Sequence, residues 1–337
     1  MSFNLAFYSA FFAVLGLVGI VLLGLGAHLY VIFGVVVPYV AVLLFFVGMI
    51  YRVVRWGRCP VPFRIPTVCG QQQSLPWIKR TLGDKIESPF TTRWVIVRML
   101  LEVLCFRSLF RNLSVSLDKE GPKLSYFSNK WLWLWAITFH YSFLVVLLRH
   151  LRFFTQPVPG FVHFLDSIDS FFEIGLPQIQ ISGIILLIAV TFLLIRRITN
   201  PQVRYISLPS DYFPLFLIIG IAFSGILMRY WYKVDVVAVK ELALSLVHLN
   251  PQVPKGIGWI FYVHLFLVCV LFAYFPFSKL VHMAGIFLSP TRNLPNNSRY
   301  VRHINPWNPV VKVHTYEEYE EEFREKMKEA GLPLEKE

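Results

Sequence analysis

The chain has 337 residues, 56% of them hydrophobic and only 15% charged, against roughly 25% charged residues in a soluble domain. Its charges gather between long apolar runs, and Phe, Trp and Tyr recur where those runs meet charged loops, as in a chain that uses a lipid bilayer as solvent. The net charge of +12 comes from Lys and Arg flanking the apolar runs, which argues against a nucleic-acid-binding face, and the four cysteines form no C-x-x-C pair that could begin an iron–sulfur site.

In chain order, six stretches of about 20 apolar residues predict spanning helices over 5–26, 29–51, 131–151, 176–196, 212–232 and 257–281. Each is free of ionised side chains until its ends, and a charge at mid-bilayer is costly. Met1-Ser-Phe-Asn has no basic n-region, so the first stretch reads as a span and not a cleavable signal. A seventh apolar segment, 91–110, is interrupted by Arg93, Arg98, Glu102 and Arg107. These fall roughly on one helical side, which predicts an amphipathic helix lying in the interface. The 52–80 segment carries Arg52, Arg55, Arg58, Arg64, Lys79 and Arg80 without an acid, and Arg196, Arg197 and Arg204 follow the fourth span. The positive-inside rule makes that side cytoplasmic, with both termini on it.

The tail from about 290 differs. Its prolines and asparagines have turn composition, and Tyr316-Glu-Glu-Tyr-Glu-Glu-Glu-Phe-Arg predicts a short acidic helix. Its aromatic residues Trp307, Tyr316, Tyr319 and Phe323 favour docking on a partner over a solvated tail. The expected fold is therefore all-α: a polytopic membrane bundle of six transmembrane helices, an interfacial helix and a cytoplasmic C-terminal tail. It divides into two N-terminal spans (1–51), a cytoplasmic loop with the amphipathic helix (52–130), a four-helix core (131–285) and the tail (286–337).

The histidines carry the chemistry. His140 and His150 lie on the third span, His264 and His282 on the last. Ionisable groups inside a membrane helix default to functional roles, and neutral imidazole is the usual axial ligand of a b heme. Ten residues separate His140 from His150, a rise of about 15 Å, whereas eighteen separate His264 from His282, about 27 Å on a straight helix. On antiparallel helices the pairing without crossing is His150 with His264 near the outer face and His140 with His282 near the cytoplasmic face. Two bis-histidyl b hemes are the expectation. Tilt, or a kink at Pro276, must absorb the unequal rise. Arg149, Arg152, Arg229 and Lys279 lie beside these positions and are candidates for the heme propionates, although anchoring of membrane lipids explains each equally. Two other classes, a proton-relaying transporter and a cofactor-free membrane anchor, would both purify without b-type absorption bands.

The ten- and eighteen-residue spacings resemble those of the gamma subunit of respiratory nitrate reductase, a diheme quinol-oxidising cytochrome b, over roughly 131–285. Pro62-Phe-Arg-Ile-Pro-Thr-Val-Cys-Gly-Gln-Gln-Gln-Ser-Leu-Pro-Trp-Ile, Phe106-Arg-Ser-Leu-Phe-Arg-Asn-Leu and Arg302-His-Ile-Asn-Pro-Trp-Asn-Pro extend the likeness to nearly the whole chain. They resemble the DsrM-type cytochrome b subunits of the DsrMKJOP complexes of sulfate reducers. The membrane subunit of methanogen-type heterodisulfide reductase is similar as well. The resemblance implies two b hemes, a menaquinone site beside the outer heme and a cytoplasmic iron–sulfur partner of the DsrK type. It further implies DsrJ, DsrO and DsrP-like subunits, in a quinone-linked oxidoreductase complex of the cell membrane. The nitrate reductase subunit carries a lysine in its outer loop after the third span. Here the comparable stretch, His163 to Glu173, has none, which leaves His163, Asp169 and Glu173 as quinone-site candidates.

Overall fold

The computed structural model of the protein describes residues 3–59, 77, 79–117, 121, 123–170, 178–297, 301, 304 and 313–336. Glu173, Trp307 and most of the Pro62–Ile78 and Arg302–Pro309 stretches lie outside the described residues.

Two apolar helices open the chain, α1 (Phe3–Gly26) and α2 (Ile32–Arg58, whose first turn, Ile32–Val36, is a π-turn). Next come α3 (Leu82–Glu87), α4 (Thr92–Cys105) and α5 (Arg107–Phe110). An antiparallel hairpin follows, β1 (Leu113–Leu117) with β2 (Leu124–Ser128), in register Leu113 opposite Ser128. The histidine-bearing half holds α6 (Lys130–Phe154), α7 (Gly160–Asp169), α8 (Ile181–Thr199), α9 (Pro201–Tyr205), α10 (Pro209–Tyr230), α11 (Val236–Val247) and α12 (Trp259–Tyr274). Beyond α12 the chain runs through single 3-10 turns, α13 (His282–Gly285) and α14 (Pro290–Asn293), and it ends on α15 (Tyr316–Glu329). Among the described residues six helices are long and apolar enough to cross a membrane: α1, α2, α6, α8, α10 and α12, the last extending to Phe277. The fold is a polytopic membrane bundle. Large apolar side chains such as Phe12, Leu23 and Leu43 point outward, as lipid contact requires.

In lipid, helices associate through close packing and not through the hydrophobic effect, so small residues mark the contacts. Ala6, Ala10, Gly24, Ala136 and Ala189 are buried at such seams. Gly48 brings α2 against the end of α12, where a Cβ on Gly48 would stand 2.6 Å from that of Pro276. α6 packs on α8, α8 on α10 and α10 on α12, while α1 and α2 cover α12 from outside. Contact between α6 and α12, the two histidine helices, is far looser. α11 reinforces the end of the bundle where α10 leads into α12: Asp235 caps it through the amides of Val237 and Ala238, and Leu242 sits in the main core with Tyr262 and Leu217.

Two sequence expectations change in detail. The interfacial helix expected over 91–110 breaks at Phe106, which sits in the left-handed region (φ 51°, ψ 46°) between α4 and α5. Its charged side also faces the protein. Arg98 and Glu102 are buried, with Arg98 donating to the Glu87 carbonyl and Glu102 accepting from Ser108, while Ile96, Leu100 and Leu104 are exposed. A protein wall of hydrogen-bond partners is the cheaper surroundings for these charges, and the apolar side is left for lipid. The loops over 152–175 and 233–256, for which the sequence reading gave no secondary structure, carry the helices α7 and α11.

Candidate functional site

The site forms between α6 and the α12–α13 segment. α6 is helical throughout, so His140 and His150 keep their ten-residue rise along one rod. α12 does not continue to His282. It ends at Tyr274, Phe275–Phe277 is a 3-10 turn, and Ser278 is extended (φ −118°, ψ 179°) before a second 3-10 turn and α13. Pro276 supplies no amide to an α-helix there, and its carbonyl accepts from Arg52 Nε of α2 at 3.0 Å. The chain thus leaves the helical path between His264 and His282, and eighteen residues no longer imply five straight turns.

Two histidine pairs result. The His140 and His282 rings stand 5.9 Å apart, centre to centre, with planes at 81°. His150 and His264 stand 6.3 Å apart with planes at 14°. Each ring is oriented through Nδ1. His140 meets the Ala136 carbonyl at 2.7 Å, His150 that of Val146 at 2.7 Å, and His282 that of Lys279 at 2.8 Å. A carbonyl only accepts, so these Nδ1 atoms carry the proton and Nε2 keeps a lone pair. His264 Nδ1 lies 2.9 Å from Ser224 Oγ, whose own proton goes to the Ile221 carbonyl at 3.0 Å. The serine therefore accepts from His264 as well. His248 makes the same kind of Nδ1 bond, to Leu244, yet among the described residues no histidine ring faces it, so the facing pairs are what distinguish the four.

A metal ion bridging two imidazoles, at about 2 Å from each nitrogen and with each nitrogen about 1.1 Å from its ring centre, sets the centres about 6 Å apart. Both pairs have that spacing, with each Nδ1 committed to a hydrogen bond and Nε2 left as the ligating nitrogen, and so fit a heme iron. Gly225 helps seat the outer pair, since a Cβ there would lie 3.3 Å from His264 Cε1.

The cations expected near propionates already have partners. Arg149 is buried and pairs with Asp169 and, at 3.2 Å, with Asp166, which Arg152 also holds at 2.7 Å. Arg229 donates to the Gln178 carbonyl at 2.9 Å. Lys279 reaches the buried Asp211 at 2.5 Å. Asp169 also accepts from the Ser182 amide and hydroxyl, both at 2.6 Å, so it clasps α7 and the start of α8 to α6. Burial pushes the Asp166 carboxyl up, but the Arg152 and Arg149 guanidiniums outweigh it and hold the group below the usual carboxylate range. His163 is exposed on α7 and has no hydrogen-bond partner among the described residues. Glu173 lies outside them.

Sequence reasoning missed Ser224, which meets His264, and the place of Phe106 beside His140; it also missed Asp211, which acts at one remove by holding Lys279. A serine in an apolar helix and an acid at a helix start carry no signal of their own.

The nitrate reductase gamma subunit family matches residues 97–303 of the chain. Among curated proteins, the "Hdr-like menaquinol oxidoreductase cytochrome b-like subunit" of Archaeoglobus fulgidus is 50% identical over 284 residues, 83% of this chain and 84% of its own. Its counterpart in Archaeoglobus profundus is 46% identical over 276 residues, 81% of each chain. The matched region contains both histidine pairs and every helix between them. The chain belongs to the nitrate reductase gamma subunit family and is a cytochrome b-like multi-pass membrane subunit.

Proposed function

We propose that the protein is a diheme cytochrome b that exchanges electrons between menaquinol at the outer face and an iron–sulfur partner on the cytoplasmic side. The observation that carries this reading is the pair of facing histidine sets, at 5.9 and 6.3 Å, with their Nε2 lone pairs turned free. His150 and His264 would hold the outer heme, His140 and His282 the inner one. Heme supplies one-electron chemistry when bound, and the chain's own residues orient, shield and connect the two sites. Menaquinol is named in the description of both relatives, which supports it as the substrate. It would bind beside the His150–His264 pair, with His163, the candidate whose side chain is uncommitted, taking up a proton. Arg152 and Arg229, on the outer side, would help hold the outer propionates, and Lys279 the inner ones, in addition to their present partners.

The motif resemblance supports a DsrK-like partner on the cytoplasmic surface, with DsrJ, DsrO and DsrP-like subunits, in sulfite or sulfate respiration. Both termini and the 52–130 segment would lie on that side of the cell membrane. The test is direct. Purified protein should show b-type bands and close to two hemes per chain by pyridine hemochrome. His140→Ala and His264→Ala should each remove one of them. A colourless wild-type sample would overturn the reading in favour of a cofactor-free anchor or a transporter.

A further inference from the structure

The turn between α4 and α5 is built in a way that the two-heme reading does not require. Phe106 has positive φ, a conformation that a bulky side chain holds only where its surroundings impose it. Those surroundings are visible. Tyr141 Oη donates to the Leu104 carbonyl at 2.9 Å, and Trp133 Nε1 donates to the Cys105 carbonyl at 2.8 Å. Both donors are on α6, on either side of His140 in sequence. From the other direction, the buried Glu102 accepts from the Ser108 amide (3.1 Å) and hydroxyl (2.6 Å), closing the turn on itself. Arg292 of α14 stands 3.8 Å from the same carboxylate.

All of this aims one ring. Phe106 meets His140 edge-on, with centres 4.9 Å apart and planes at 87°. Phe139, the chain neighbour of His140, makes a second edge contact at 5.0 Å and 88°. The imidazole is thus clamped by two aromatic rings, one of them delivered from a peripheral helix. The outer pair is supported differently: His264 rests on a serine hydroxyl, and its ring is nearly parallel to that of His150.

We propose that Phe106 is a positioning residue for the inner heme site: it fixes the rotation of the His140 ring near perpendicular to His282 and keeps water from that ring. The proposal rests on the two-heme reading. It predicts that the two sites differ in kind. Ferric bis-imidazole centres with near-perpendicular ring planes give a highly anisotropic low-spin resonance, and those with near-parallel planes give a rhombic one. Water admitted beside the inner site would favour the more charged ferric state and lower its potential.

The experiment uses the full chain, purified with its hemes, and reads heme content, optical redox titration and low-spin resonance. Phe106→Ala should keep two hemes, lower the midpoint of one and alter only the anisotropic resonance, leaving the other heme unchanged. Phe106→Tyr, which keeps the ring edge, should restore the wild-type values. Phe106→Gly removes the ring but relaxes the backbone, so it should shift the same heme as Phe106→Ala with no greater loss of thermal stability. If Phe106→Ala does not accumulate, Phe106→Leu, which keeps bulk without an aromatic edge, carries the same expectation. Two hemes with midpoints and resonances indifferent to the loss of the ring, or both shifted alike, would overturn the assignment of Phe106. Wild-type protein without heme would instead overturn the reading beneath it.

Discussion

At the scale of single residues, His140 and His264 stand out because they interrupt long apolar stretches of α6 and α12, while His150 and His282 lie beside charged residues at or beyond the ends of those spans. Their supports are not legible in the same way. Ser224 lies forty residues from His264 in sequence and meets it only because α10 packs on α12. Ser224→Ala would remove the hydroxyl that His264 Nδ1 meets and leave the Ile221 backbone as its remaining partner, a cost of about 0.5–1.5 kcal/mol. Outer-shell partners of this kind typically change metal affinity about 10- to 100-fold. The expected outcome is a lower thermal midpoint and preferential loss of one heme during detergent extraction, followed by pyridine hemochrome. His163→Ala should slow reduction of the hemes by a menaquinol analogue severalfold at unchanged heme content, because His163 is exposed on α7 and away from both histidine pairs in sequence. Unchanged kinetics would remove it from the quinol site.

At the scale of elements, hydropathy located the six spans because only a long uninterrupted apolar run can cross a bilayer, whereas their ends moved by a few residues where caps and prolines decide them. Helices α7 and α11 were not predicted from the sequence, since both are far too short to span a bilayer and lie in the loops between spans. For α7 the clasp is Asp169 with Arg149, side chains 5% and 8% exposed. Asp169→Asn would leave the buried Arg149 guanidinium with Asp166 alone, a carboxylate that Arg152 also holds, at a cost of about 1.5–3 kcal/mol, lowering the thermal midpoint and exposing α7 to protease. Acid should loosen the same clasp through Asp166. Its folded pKa is depressed, so its contribution is complete above the unfolded value of about 3.9 and is lost as pH falls below that toward the folded value. Protease cleavage in α7 measured from pH 6 to pH 3 should rise only at the acid end. Close helix contact is equally testable. Gly48→Ala must push α2 away from Pro276, a cost of about 1–3 kcal/mol. Gly19→Ala, with open space around it, should leave the thermal midpoint unchanged.

At the scale of the whole molecule, the charge pattern predicts an orientation of the bundle, and the cysteines can test it. Cys59, at the end of α2, and Cys105, at the end of α4, are exposed, and Cys269 is buried in α12. A membrane-impermeant maleimide should label Cys59 and Cys105 in inside-out vesicles and neither in right-side-out ones, with Cys269 protected in both. Labelling of Cys59 and Cys105 from opposite sides would overturn the topology. By itself the sequence determined the class of the molecule, the number of its spans and the histidines worth watching, because each of these follows from where apolar runs and charges fall along one line. It also marked Pro276 as the point where unequal spacings would have to be reconciled. Only the tertiary structure decided how the two histidine helices meet: α12 ending at Tyr274, Phe106 turned onto His140, and the buried acids paired with arginines and Lys279 that had been read as open to a ligand. The physical reason is that these depend on contacts between segments far apart in the chain, whose partners local hydropathy cannot name.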